Sequence, residues 1–126
     1  MKTIISTPNA PSAIGPYSQA NALDNLILTS GQIGLIPATG ELAGGDIQTQ
    51  TRQALNNLKA ILEEAGSGMD KVLKTTVLLS DIANFTPMNE VYAEFFSADG
   101  YPSRSAFQVG ALPKGALVEI EAIAYK

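Results

Sequence analysis

The 126-residue chain contains no histidine and no cysteine. The first absence removes the usual general base near neutral pH and the commonest metal ligand, so serine triads built on histidine and histidine-ligated zinc sites are excluded by composition. The second removes disulfides, thiol nucleophiles and thiolate metal sites, and fits a reducing compartment. Chemistry is left to carboxylate, tyrosine, lysine, hydroxyl, backbone amide and arginine groups. Positive charge is scarce as well: 8 Lys and Arg stand against 12 Asp and Glu, a net charge of −4. The basic residues are scattered, without a run and without interleaved aromatics, and the average field repels phosphate backbones and anionic headgroups; neither nucleic acid nor membrane is expected as a partner. No stretch approaches the ~20 apolar residues of a membrane span, and the N-terminal MKTIISTPNAP lacks the sustained apolar core of a secretory signal. A cytoplasmic protein is expected.

What is present is an ordinary globular composition, 45% hydrophobic and 16% charged. A chain of this length buries roughly two thirds of its unfolded surface, enough for a core. No repeat, linker or low-complexity tract divides it, so one domain over residues 1–126 is expected.

Turn signals and periodicity set the order of elements. A short strand from Thr3 to Ser6 is stopped by the prolines at 8 and 11, and after Gly15-Pro16-Tyr17 a strand through Ala22, a turn at Leu23-Asp24-Asn25 and a strand from Leu26 to Ile33 read as a hairpin. Asp46 is placed to cap a helix whose apolar residues, Ile47, Ala54, Leu55, Leu58, Ile61, Leu62 and Ala65, share one face, and Gly66 to end it. Val72 to Leu79 is β-branched and aliphatic, a strand. A second helix follows, with Thr86 as cap, Pro87 in its first turn, and a core stripe of Met88, Val91, Tyr92, Phe95 and Phe96. Arg104 opens a strand that reaches about Val109. Leu117 to Tyr125 makes the last strand, with Glu119 and Glu121 on the face opposite Val118 and Ile120.

Strands, helix, strand, helix and two strands imply an α+β fold in which two helices cover one face of a mixed, mostly antiparallel sheet. Two helices leave the other face bare. Apolar residues such as Ile123 share that face with Glu119, so sheet-to-sheet packing of subunits, with polar clefts between them, is expected.

Four residues draw attention on chemical grounds. Arg104, one of only two arginines, stands between Ser103 and Ser105 and is either a solvated edge charge or a fork for a carboxylate. Arg52, the other, falls on the exposed side of the first helix. Glu119 is either part of a solvated strand face or a base that holds a water, a role that partial burial would favour by raising its pKa. Tyr17 either anchors a turn or orients a substrate through its hydroxyl, and Asn89 is a cap or a cleft residue. No carboxylate cluster has the spacing of a divalent site, and Gly44-Gly45 lacks the lysine of a phosphate loop, so neither metal nor nucleotide is expected.

Taken in order, AIGPYSQA, LILTSGQIGLIPATGEL, the helix stopped at Gly66 and YPSRSAFQVGALPKGALVEIEAIA closely resemble the RidA/YjgF family of enamine/imine deaminases. The resemblance covers nearly the whole chain and rests on several motifs in register. It implies a chorismate-mutase-like fold, a homotrimer with active sites between neighbouring subunits, and cofactor-free hydrolysis of reactive 2-imino acids to 2-keto acids and ammonia. By motif, Arg104 of P-x-R-S would clamp the substrate carboxylate, Tyr17 of I-G-P-Y would line the cleft, and Glu119 of E-I-E-A-I-A would hold the attacking water. Ser30, Gly31 and Asn89 fall where the family has cleft-lining residues. The chain departs at Ala106, where many relatives carry cysteine: a thiol role is absent, while a backbone N–H at that position would be retained. A trimer that binds small carboxylates without turnover, and RNA cleavage, which needs a basic groove this sequence does not display, are the rival readings.

Overall fold

The computed structural model describes residues 1–126 and runs β1 (Thr3–Ile5), β2 (Ala20–Leu23), β3 (Leu26–Thr29), β4 (Gln32–Ile33), α1 (Ile47–Glu64), β5 (Val72–Leu79), α2 (Phe85–Glu94), β6 (Ser103–Gln108) and β7 (Val118–Tyr125). The strands form one sheet in the order β1-β2-β3-β7-β5-β6, with β4 beside β7. Only β5 and β6 are parallel, joined by the α2 crossover; every other pairing is antiparallel. No helix is long and apolar enough to cross a membrane.

Both helices pack on the same face. The residues that alternate inward on β7, namely Val118, Ile120, Ala122 and Ala124, are buried against Leu55, Leu58, Ile61 and Leu62 of α1 and Met88 of α2. The other face, with Leu23, Leu26, Leu28, Phe107 and Tyr125 exposed, has no cover within the chain, as the count of two helices requires. At roughly 25 cal/mol per Å² such a face is costly to leave in water.

Helix α1 matches its sequence signals. Asp46 accepts a bond from the Thr49 N–H at 2.9 Å, which holds its carboxyl below the usual range. Beyond Glu64 the chain enters the left-handed region at Gly66 (φ 85°), and the Ser67 and Gly66 amides donate to Leu62 and Glu63 carbonyls, the double closure that a glycine after the last turn permits.

Most element ends shift by a residue or two from expectation, and three of the differences have a visible cause. Thr86 is not the cap of α2 but lies within it: the helix starts at Phe85, with Asn84 in the cap position, because a 3₁₀ turn at Ile82–Asn84, itself capped by the Asp81 carboxylate on the Ala83 N–H, runs straight into it. The strand expected from Tyr17 begins only at Ala20, since the Tyr17 amide donates to the Gly15 carbonyl in a tight turn. The strand expected over Leu26–Ile33 breaks at Ser30-Gly31: Leu28 faces Ile123 and Gln32 faces Ile120, four steps on one strand against three on the other, which is a bulge of one residue.

Behind the bulge, buried amides fasten the sheet to α1. Gln50 donates to the Gly44 carbonyl and accepts from the Leu117 N–H, both at 2.8 Å, while Asn57 donates to the Ile33 and Leu35 carbonyls. The intervening Gly34 lies so close to α1 that a Cβ there would sit 2.6 Å from the Gln50 carbonyl oxygen and 2.8 Å from its Cα. Helix backbone cannot yield as a side chain can. Gly34→Ala is therefore expected to destabilise the fold by roughly 3 kcal/mol or more, read from the denaturant midpoint, whereas Gly45→Ala, with nothing within 4 Å, leaves the midpoint nearly unchanged.

Candidate functional site

The bulge places Gly31 against Glu119. The Ser30 hydroxyl donates to the Ser18 carbonyl at 2.6 Å, its amide donates to Gln19, and Thr29 Oγ1 fills the interrupted ladder by accepting from the Ala122 N–H at 2.9 Å. With the chain held in this way, Gly31 lies directly against the Glu119 carboxylate: a Cβ at 31 would fall 2.8 Å from Glu119 Cδ and closer still to its carboxylate oxygen. Only glycine leaves that space open. Tyr17, Ser30, Gly31 and Glu119 line one cleft of about 790 Å³, closed on its far side by Pro113 and Lys114. Lys114, in the left-handed conformation (φ 57°), reaches across to the Gly40 carbonyl at 2.9 Å.

The cleft's near wall is the segment from Thr7 to Tyr17, which has little regular structure of its own. It is held by Gln19, whose buried amide accepts from the Thr7 N–H at 2.7 Å and donates to the carbonyls of Thr7 and Pro11. Tyr17 is half exposed, its ring free to meet a ligand or a neighbouring surface.

Burial pushes the Glu119 carboxyl above its ordinary value of 4.5, and the nearby Glu121 charge adds to the rise. A group whose folded pKa is raised costs stability once ionised. That cost is absent below about 4.5, where the carboxyl is protonated folded or unfolded, and is complete above the raised folded value. Glu119→Gln is therefore expected to raise the melting temperature near neutral pH, with the gain shrinking to nothing as the pH is lowered toward 4.5; a gain independent of pH would contradict the raised pKa.

Arg104 lies elsewhere. It stands opposite Thr75 on β5, whereas Glu119 stands opposite Leu78. Those two partners lie an odd number of positions apart, with Thr76 and Val77 between them, so alternation sends the two side chains to opposite faces, and the strand spacings put their Cα atoms roughly 14 Å apart. Arg104 turns toward α2: Nη1 donates to Asn89 Oδ1 at 2.6 Å, and its guanidinium carbon lies 4.8 Å from the Tyr92 ring centroid and 5.3 Å from that of Phe85. It lines a second cleft of about 440 Å³ with Asn89, Tyr92, Ala93, Tyr101 and Pro102. One chain therefore brings Tyr17, Ser30, Gly31 and Glu119 together, and separately Arg104 and Asn89, but does not bring the two groups into one crevice. Ala106 faces the helices from β6, half-buried against the core, and lines neither cleft. Arg52 is exposed as expected but not alone, since it forms a two-pronged pair with Glu94 at 3.0 and 3.1 Å, a surface contact of small energetic weight.

The sequence reading missed the surroundings of Arg104. Tyr92 reads there only as core, yet its hydroxyl shares a buried 2.7 Å hydrogen bond with Thr75; burial pushes the phenol above its usual pKa, outweighing the lowering by Thr75 and Arg104, so it stays neutral. The available signal was the spacing of Asn89 and Tyr92, three apart on one helix face.

A family model described as Endoribonuclease L-PSP matches residues 7–126. A RutC family protein of Pyrococcus horikoshii is 55% identical over 126 residues, covering 100% of this chain and 99% of that protein. The human 2-iminobutanoate/2-iminopropanoate deaminase is 49% identical over 124 residues, covering 98% of this chain and 90% of that protein. Among solved structures, that of E. coli TdcF with bound serine superposes with a TM-score of 0.92 at 45% identity and 98% coverage of both chains. The motifs around Tyr17, Arg104 and Glu119 and these matches along the full length agree: the chain belongs to the RidA/YjgF family.

Proposed function

We propose that the chain hydrolyses 2-imino acids, and the 2-aminoacrylate-type enamines that tautomerise to them, to 2-keto acids and ammonia. The observation that carries the reading is Arg104: its guanidinium makes one side-chain hydrogen bond, to Asn89, and its remaining donors border a cleft. A planar fork with free donors suits a carboxylate. The human relative's name specifies short 2-imino acids, and the TdcF structure holds serine, a small carboxylate of similar size.

In this reading Arg104 grips the carboxylate and Glu119, with its raised pKa, orients a water and accepts its proton as the oxygen adds to the imine carbon. The nitrogen takes up the proton that Glu119 accepted, and as the tetrahedral carbinolamine collapses its hydroxyl proton passes to the departing nitrogen by way of Glu119, giving the keto acid and ammonia. An imine is already electrophilic, so one carboxylate and one guanidinium suffice without histidine or a cofactor. Asn89 steadies the arginine, and Tyr17, Ser30 and Gly31 shape the water's side of the site. Ala106 contributes at most its backbone amide.

Because the two clefts occupy opposite faces of one sheet, the working site is composite: the Arg104 cleft of one copy meets the Glu119 cleft of the next. The bare apolar face supports this, since a homotrimer of chorismate-mutase-like arrangement would cover it. Native mass measurement is expected to give three times the 13.2 kDa chain mass.

The test is coupled turnover. Added to a threonine dehydratase, the protein is expected to speed 2-ketobutyrate appearance beyond the spontaneous rate. Tight 2-ketobutyrate binding with no acceleration would instead favour a regulatory carboxylate-binding trimer. The family model's description raises RNA cleavage as a second activity; a net charge of −4 and a single lysine at the Glu119 cleft speak against it, and RNA binding at physiological salt is expected to be undetectable.

A further inference from the structure

Arg104 sits on an edge strand, bonded on one side only to β5, and all of β6 is at least partly exposed. A long side chain there samples many rotamers unless something holds it, and a carboxylate fork works only when its plane is fixed. Asn89 fixes one nitrogen. A single hydrogen bond still leaves the guanidinium plane free to swing about it.

The neighbours supply the missing constraint. The Tyr92 ring lies 4.8 Å from the guanidinium carbon and that of Phe85 5.3 Å, both within cation–π reach. Tyr92 is itself anchored at both ends: its ring packs on Phe96 at 4.8 Å, and its hydroxyl is bonded at 2.7 Å to Thr75. Thr75 is the residue directly opposite Arg104 in the β5–β6 register. The result is a closed circuit, Arg104 to Tyr92 to Thr75 and back through the sheet, with Asn89 on the same helix face as Tyr92.

Core packing alone does not account for this pair. Phenylalanine at 92 and valine at 75 would fill the same volume without placing two hydroxyls in an apolar interior, where each must find the other or remain unsatisfied. The polar pair lies beside the one residue of β6 that needs aiming.

We infer that Tyr92, tied by its hydroxyl to Thr75, is the positioning residue that orients the Arg104 guanidinium toward the substrate carboxylate, with the Phe85 ring as a second wall. The inference rests on the imine-hydrolysis reading for its kinetic consequence but not for its structural one.

The chain's two arginines give two side-chain Nε–Hε signals, which Arg104→Lys assigns. In Tyr92→Leu the Arg104 signal is expected to shift and broaden as the side chain gains motion, with that of Arg52 unmoved. On 2-iminobutanoate the same variant is expected to raise KM about tenfold with kcat within about twofold, a split that general loosening of the core does not produce. The double variant Thr75→Val/Tyr92→Phe keeps the volume, removes both hydroxyls and is expected to raise KM about threefold; it decides the matter if Tyr92→Leu fails to fold. An unchanged Arg104 signal, or an altered one with wild-type KM, overturns the inference. If the wild-type protein turns over no imine, the proposed reaction fails and the Arg104 signal alone decides whether Tyr92 holds the guanidinium.

Discussion

Co-expressed in equal amounts, Arg104→Ala and Glu119→Gln chains are expected to regain about a quarter of wild-type activity, although each alone falls by roughly 10²–10³-fold in kcat/KM. The single losses follow from the chemistry. Removing the guanidinium leaves a desolvated carboxylate unpaired, a cost of about 3–4 kcal/mol that is felt in ground and transition states alike and so enters mainly through KM. Glutamine at 119 keeps a water nearby but cannot accept its proton, so kcat falls while KM holds. The recovery follows from the geometry. Arg104 and Glu119 occupy opposite faces of one sheet, in different clefts. If a site takes its arginine from one copy and its glutamate from the next, random mixing leaves both intact in about one site in four. Activity no greater than the sum of the two variants would sink the composite site and with it the sheet-to-sheet assembly.

How much of this could be read from the sequence depended on range. Features fixed by neighbours in the chain were legible: the Asp46 cap, the Gly66 stop, and the alternation that puts Glu119 on the face opposite Val118 and Ile120. Features fixed by pairing were not. Alternation assigns faces within a strand, but the relative faces of Arg104 and Glu119 depend on the register of β6 and β7 on the strand between them, where an offset of three residues inverts the outcome. The bulge at Ser30-Gly31 hid for a related reason. TSGQI reads as uninterrupted strand, and the extra residue shows only when counted against β7. The second helix was misplaced at its start because Asp81 caps a 3₁₀ turn that leads into it at Phe85, ahead of the apolar stripe that begins at Met88. Family motifs supplied the identities of the proposed functional residues, but they carry no information on which of them share a cleft within one copy.

Gly31→Ala is expected to reduce kcat by roughly 10²-fold while leaving the fold largely intact. A Cβ at 31 would stand 2.8 Å from Glu119 Cδ and 2.9 Å from its Cγ. The obstacle is the far end of a side chain, which can swing aside, and Gly31 is not among the residues with positive φ, so alanine fits the backbone. The clash is thus relieved by moving the carboxylate away from residue 31 and out of line with the imine carbon, where a displacement of about 1 Å costs on the order of a hundredfold. Gly34, three residues on, shows the contrast: there the added methyl meets helix backbone and the loss falls on stability. Because Gly31→Ala acts through Glu119, its effect should not add to that of Glu119→Gln; the double variant is expected to match the more impaired single variant. Wild-type kcat in Gly31→Ala would show that the carboxylate's place against the bulge does not matter to the reaction, and independent losses in the double variant would show that Gly31 acts on something other than Glu119.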